Sequence, residues 1–312
     1  MNTFATALAP ILALIMLGYG LKRTQFLPEA AWAGMEKLTY FILFPALLIH
    51  TLGRQTLGGS PWPSILFVVS MTLVVSALVL VFYYRLRPTE SPATFTSIFQ
   101  GGIRFNTYIA LSIAQGLFGI SGLALSSVAA GFMIVLINLF CIAAFAVWGK
   151  AGLRGIAPFI RTIVGNPLII GCAIGWFLSL TGIGLPGVSD NISEVIGRAA
   201  LPFGLLAVGA ALRPRTVHGH VNAIIISCLV QFGVKPLTAA LLIHFTGLNG
   251  IAAGVVLIAF MTPTASSSYI LARQLGGDTE AMASIISFQT LLAFLVMPLL
   301  SSMLLTGLAV HF

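Results

Sequence analysis

The sequence predicts an all-α polytopic membrane protein of about ten spans, and three observations predict it. Of its 312 residues 58% are hydrophobic and only 7% charged, whereas a soluble domain carries roughly 25% charged residues to cover its surface. The apolar runs approach the ~20 residues that a helix needs to cross a bilayer. The basic residues gather between alternate runs, as positive-inside topology requires.

The first apolar run, 3–21, has no basic residue before it and is followed by Lys22-Arg23. That polarity is wrong for a cleaved signal peptide, so the run reads as a retained span. Punctuation by Pro, Gly and charge places the others at 30–52, 61–84, 94–118, 123–148, 161–182, 190–212, 220–245, 250–275 and 280–307. Loops after the odd spans hold Lys22, Arg23, Lys37, Arg85, Arg87, Lys150, Arg154, Arg161, Arg213, Arg215 and Arg273, against Arg54 and Arg198 opposite. Eleven against two sets the odd loops in the cytoplasm and both termini outside. The same scatter accounts for the net charge of +8 and excludes nucleic acid as a partner, since no basic stripe with interleaved aromatics exists. Cys141, Cys172 and Cys228 sit in apolar runs without metal-ligand spacing, so neither disulfide nor metal is expected.

The two halves resemble each other at an offset of 157, which pairs Pro10 with Pro167, Gly18 with Gly175, Pro45 with Pro202 and Gly119 with Gly276. Five spans per half is an odd number, so related halves insert in opposite senses, the inverted-repeat logic of secondary transporters. The expected units are 1–148, a cytoplasmic linker at 149–160, and 161–312.

Charge inside a span is costly and faces a cavity or a partner. Two basic residues fall well inside the spans, Arg104 in the fourth and Lys235 in the eighth, while all seven acids are expected at span ends or in loops. Two interior cations without a carboxylate point to an anion from outside. Arg104 is alternatively satisfied by carbonyls of a broken helix, and Lys235, before Pro236, alternatively snorkels to a crevice. Span four contains Gln100-Gly101-Gly102-Ile103-Arg104-Phe105-Asn106-Thr107, poor content for a lipid-facing helix, with Gln100 and Arg104 on one face if the helix continues. Span nine contains Thr262-Pro263-Thr264-Ala265-Ser266-Ser267, where proline frees a carbonyl and hydroxyls follow. Both read as interrupted helices whose half-helix N-termini offer amides to an anion. The bland alternative is a proline kink whose Ser and Thr bond their own turn. Asn138 and Gln289 are lone amides that either bond between helices or add to the site. The histidines lie at span ends or in loops, and no nucleophile–base pair, HExxH or phosphate loop occurs, so no enzyme activity and no cofactor are expected.

With Arg104-Phe105-Asn106, Asn166-Pro167-Leu168-Ile169-Ile170-Gly171, Thr262-Pro263-Thr264 and the segment from Gly276-Gly277-Asp278 to Pro298 in hand, the chain resembles the auxin efflux carrier family. It is most similar to the prokaryotic permeases, which include malonate and malate carriers. The resemblance implies two inverted five-helix repeats, with spans one, two, six and seven as scaffold and the rest as a mobile domain. It implies broken crossover helices four and nine meeting near the midplane, marked by Asn106 and Pro263, with Arg104, Thr262, Thr264 and Ser266 nearby. It also implies a prokaryotic inner membrane and a homodimer.

The expected function is therefore a secondary transporter of small organic anions, mono- or dicarboxylates, by elevator-type alternating access in a lipid bilayer. Two alternatives stand beside it. One is an anion-binding sensor or accessory subunit without transport, which would usually carry a signalling domain that the short termini lack. The other is sodium-coupled symport of the related bile-acid type, to which the lack of an acid near the crossing is unfavourable.

Overall fold

The computed structural model describes residues 2–54, 61–86, 90–149, 164–213 and 219–307, and these are all-helical, without a strand. Regular helix is forced on such a composition, because a backbone in hydrocarbon must satisfy its own amides and carbonyls. The helices are α1 (Asn2–Arg23), α2 (Glu29–Leu38), α3 (Phe44–Gly53), α4 (Trp62–Leu86), α5 (Pro92–Ile103), α6 (Thr107–Trp148) and α7 (Pro167–Leu180). They continue as α8 (Val188–Arg198), α9 (Ala200–Ala210), α10 (Val221–Leu229), α11 (Lys235–Thr246), α12 (Gly250–Met261), α13 (Ser268–Leu275) and α14 (Thr279–Gly307). One-turn π-helices, Thr39–Leu43 and Val230–Val234, join α2 to α3 and α10 to α11.

Seven helical stretches among the described residues are long and apolar enough to cross a membrane, and 167–180 and 250–261 are shorter apolar helices. One of the seven, Pro92–Trp148, has 57 residues. Straight, it would measure about 85 Å at the helical rise, nearly three times the ~30 Å hydrocarbon core. Two interruptions resolve this. Helix α5 stops at Ile103, and Gly119 within α6 takes φ 63° and ψ −147°. A loop was expected between 118 and 123, but a single glycine in a conformation that L side chains rarely adopt makes the bend without one. Span nine likewise divides into α12 and α13, and Gly276, 157 residues after Gly119, closes α13 at φ 75°.

Lipid-facing and packed surfaces separate cleanly. Leu78, Phe82 and Leu86 on α4 are 62–65% exposed, and Leu295, Leu299 and Met303 on α14 are 60–71% exposed. A spacing of four puts each set on one helix face. Inside, close approach depends on small residues. A Cβ on Gly18 would stand 2.1 Å from the Leu206 carbonyl oxygen and one on Gly209 would stand 1.9 Å from that of Ile15, so α1 and α9 pack backbone to backbone. Gly171 and Gly175 do the same for α7 against α3. Helix α12, whose residues from Ala252 to Met261 are all buried, packs on α6, while α5 lies against α10 and α14.

Two expectations about charge are corrected. Lys37, expected in a loop, and Glu36, expected at a span end, both lie in the last turn of α2, which runs through the π turn into α3. The helical segment 29–53 absorbs them because only one face of α2 packs, with Trp32 its one buried residue. The start of span six is corrected too, since α7 begins at Pro167 behind the Asn166 cap. The linker 149–160, apart from Gly149, and Arg87, Arg154, Arg161, Arg215, His218 and His311 lie outside the described residues.

Gly209→Ala is expected to destabilise the protein by about 1–3 kcal/mol through overpacking against α1, read as a lower melting temperature in detergent. Gly20→Ala, where nothing lies within 4 Å of the added Cβ, should leave it unchanged or slightly raised.

Candidate functional site

The site is built around two places where helices end inside the protein. At the first, α5 stops because Arg104 leaves the helix (φ −72°, ψ 163°), and Asn106 starts α6 by accepting the Ile109 amide on its side chain at 3.1 Å. Asn favours this N-cap role because its short amide replaces a missing backbone acceptor. At the second, α12 stops at Thr262 (φ −71°, ψ 153°) and the chain runs through Pro263 to Ser267, the cap of α13. The two breaks touch, since the Asn106 amide donates to the Thr262 hydroxyl at 3.3 Å.

Each half-helix end leaves carbonyls that a lipid environment cannot solvate. The protein supplies donors for them. The Thr264 hydroxyl donates to the Gln100 carbonyl at 3.3 Å, and Gln289 Nε2 donates to the Gly101 carbonyl at 3.0 Å. Gln289 Oε1 accepts the Thr264 amide at 3.0 Å, which ties the two breaks together. Lys235 Nζ donates to the carbonyls of Ile103 (3.3 Å) and Arg104 (3.0 Å) and to Gln231 Oε1 (2.8 Å). Gln231 Nε2 in turn donates to the Thr262 carbonyl. One stretch, Gln231 to Lys235, thus holds the C-terminal ends of both α5 and α12.

A cavity of about 590 Å³ opens beside the crossing. Its wall includes Arg104 and Asn106 from the first break, Thr107, Tyr108 and Asn138 of α6, Ser266 and Ser267 before α13, and Glu36, Lys37, Tyr40 and Phe44 from the α2–α3 segment. Asn166, Pro167, Leu168 and Ala207 complete the opposite side. Helices α6 and α13 therefore start at the cavity and present their positive ends to it. Arg104 Nη2 reaches the Ser267 hydroxyl at 3.5 Å, and the guanidinium also lies against the Cys141 thiol, with Nη1 buried. Arg104 makes no ion pair among the described residues.

The residues singled out from the sequence divide into two groups. Arg104, Asn106, Asn138, Ser266 and Ser267 line the cavity. Gln100, Thr262, Thr264, Lys235 and Gln289, all fully buried, stand behind it among the bonds just described, as does Pro263 within the second break. Gln100 and Arg104 do not share a helix face, because the helix ends between them; Gln100 Nε2 turns to the Ser268 carbonyl at 3.4 Å. The expectation of an interior without a carboxylate is corrected, since Glu36 shares the cavity wall with Arg104. The sequence pointed away from Glu36 and Lys37 because they sit close to Lys22, Arg23 and Glu29, a cluster that reads as loop.

A second cavity of about 730 Å³ is lined by Leu47, His50 and Thr51 of α3 and Arg54 just after it, Ser112, Gln115 and Gly116 of α6, and Leu201 and Leu205 of α9. It lies further along α3 and α6 than the first. Between the two sit Phe44 and Tyr108, edge to face at 5.0 Å, with the Tyr108 ring pressed on Gly204, where a Cβ would come within 2.4 Å of it.

Comparison with known proteins agrees with a transport architecture. A family model described as membrane transport protein matches residues 3–150 and 156–301. An uncharacterized transporter of Methanothermobacter thermautotrophicus is 23% identical over 296 residues, covering 94% of this chain and 96% of that one. An uncharacterized transporter of Methanocaldococcus jannaschii is 23% identical over 299 residues, 93% and 95% of the two chains. The ileal sodium/bile acid cotransporter of Mus musculus is 34% identical over 115 residues, which is 36% of this chain and 33% of that one. Continuous apolar helices, two interrupted helices meeting beside a cavity and a match over nearly the whole length lead to one conclusion: the chain is an integral membrane protein of the membrane transport protein family, the auxin efflux carrier family.

Proposed function

We propose that the protein is a secondary carrier of small organic anions, mono- or dicarboxylates of the size of malonate or malate, working by elevator-type alternating access. The observation that carries this is Arg104, a guanidinium on the cavity wall that no carboxylate among the described residues pairs. A carboxylate is the natural occupant, because guanidinium and carboxylate match in charge and planar geometry. The wall carries Arg104 and Lys37 against Glu36, an excess of one positive charge. The starts of α6 and α13 add positive helix ends. Asn106, Asn138 and the Ser266 and Ser267 hydroxyls orient the bound group, while Gln100, Thr262, Thr264, Pro263, Lys235 and Gln289 keep the crossing in shape.

The arrangement in the membrane follows the same reading: ten spans as two inverted five-helix repeats, 1–148 and 161–312, joined by 149–160. The positive φ of both Gly119 and Gly276, and the like C-caps Arg104 and Thr262, support it. With both termini outside an inner membrane, the Arg104 cavity faces the cytoplasm and the His50 cavity the exterior. Alternating access then needs movement of α5, α6 and α13 past α3 and α9 at the Phe44–Tyr108–Gly204 contact. A homodimer belongs to the same reading. An anion sensor would bind without flux, so saturable counterflow in proteoliposomes separates the two.

Arg104→Ala is expected to lower counterflow of a labelled dicarboxylate by about 10- to 100-fold, the cost of one charge-assisted contact, while the protein still inserts. Normal flux in that variant would remove Arg104 from the binding role. Asn138→Ala should raise the KM for the anion with little change in melting temperature. Gln289→Leu, which strips the Thr264 amide and the Gly101 carbonyl of their partner, should instead cost about 1–3 kcal/mol of stability. The reverse pattern would exchange the roles of these two amides.

A further inference from the structure

Lys235 is fully buried at the end of the Val230–Val234 π turn, with the Phe260 ring 5.8 Å from its nitrogen. An ammonium has three N–H donors and no acceptor. Here the three bonds go to three neutral oxygens, the carbonyls of Ile103 and Arg104 and the side-chain oxygen of Gln231, at 2.8–3.3 Å. Among the described residues no carboxylate pairs with it. The Cys141 thiol also lies near it. The carbonyls belong to the C-terminal end of α5, where the helix dipole is negative and a positive charge is favoured. Gln231 extends the same shell to the Thr262 carbonyl, the corresponding end of α12. A cage of carbonyls at the ends of interrupted helices is the chemistry by which transporters hold a monovalent cation.

We propose that the Lys235 ammonium fills a monovalent-cation site built into the crossing, so that the protein carries this cation covalently and needs no sodium there. Its consequence is a latent site for a small cation, exposed when the side chain is shortened. The tethered charge joins both half-helix ends. The inference rests on the carrier reading for its flux measurement only; the stability measurement stands without it.

The test compares wild type, Lys235→Ala and Lys235→Met in melting temperature and in counterflow, with choline, Na⁺, K⁺ or n-propylammonium as the cation. Propylammonium replaces the atoms from Cγ to Nζ that alanine lacks, and 1-propanol serves as its neutral control. Wild-type flux is expected to be equal in choline and sodium. Lys235→Ala should lose at least about ten-fold in flux, since buried carbonyls lose their donor. Propylammonium, but not propanol, should raise its melting temperature and restore flux. Lys235→Met fills the same volume without charge, so it should stay impaired and unresponsive to propylammonium. Three results would each overturn the proposal: sodium-dependent flux in wild type, wild-type flux in Lys235→Met, or a folded Lys235→Ala that propylammonium does not stabilise beyond propanol. Should both variants fail to fold, the wild-type sodium comparison still decides.

Discussion

Everything at the crossing depends on a carbonyl oxygen having somewhere to go. A helix that ends inside a bilayer leaves four such groups unpaired, and lipid supplies no donor. Helix α5 ends at Ile103 and α12 at Met261, well inside the protein, and their carbonyls are met by Thr264, Gln289, Lys235 and Gln231. These donors come from segments 31 to 188 residues away, so the breaks hold only when the whole helix set is assembled. The gain is geometric: Asn106 and Ser267 can start new helices at the wall of a cavity.

The two interior cations serve opposite ends. Lys235 uses all three of its donors on the protein and is closed to the cavity, while Arg104 lies on the cavity wall without a carboxylate partner among the described residues. The residue types suit these tasks. A flexible ammonium adapts to three oxygens of arbitrary direction, whereas a planar guanidinium presents a fixed fork to a carboxylate. The Lys235 bond to the Arg104 carbonyl also fixes the backbone from which the Arg104 side chain projects. Small residues let the surrounding parts approach closely, as Gly204 does beneath the Tyr108 ring.

Much of this was legible in the residues themselves. Apolar run length exposed the helices, and Gly101-Gly102 with Arg104 and Asn106, or Pro263 with its hydroxyls, exposed the breaks, because each sequence is unsuited to continuous helix in lipid. The partition of site residues was not legible. Whether Gln289 or Asn138 faces the cavity depends on the rotation of α14 and α6, which no local pattern specifies, since their polar residues are isolated. The partners of Lys235 depend on the π turn before it, which sets the register of α11 relative to α10. Glu36 was hidden by neighbouring charges, and the Gly119 bend looked like a loop because helix on both sides of a single reversed glycine has no distinct signature. Tertiary context, rather than propensity, decided each of these.

In the proposed carrier, Arg104 sets the sign of the cargo. Counterflow in sodium-free proteoliposomes, with labelled malonate on one side and unlabelled malonate, malonamide or a diamine of equal length on the other, tests it most directly. Saturable exchange driven by malonate is expected, and none driven by the neutral diamide or the diamine. Exchange driven equally by malonamide, or preferentially by the diamine, would contradict it.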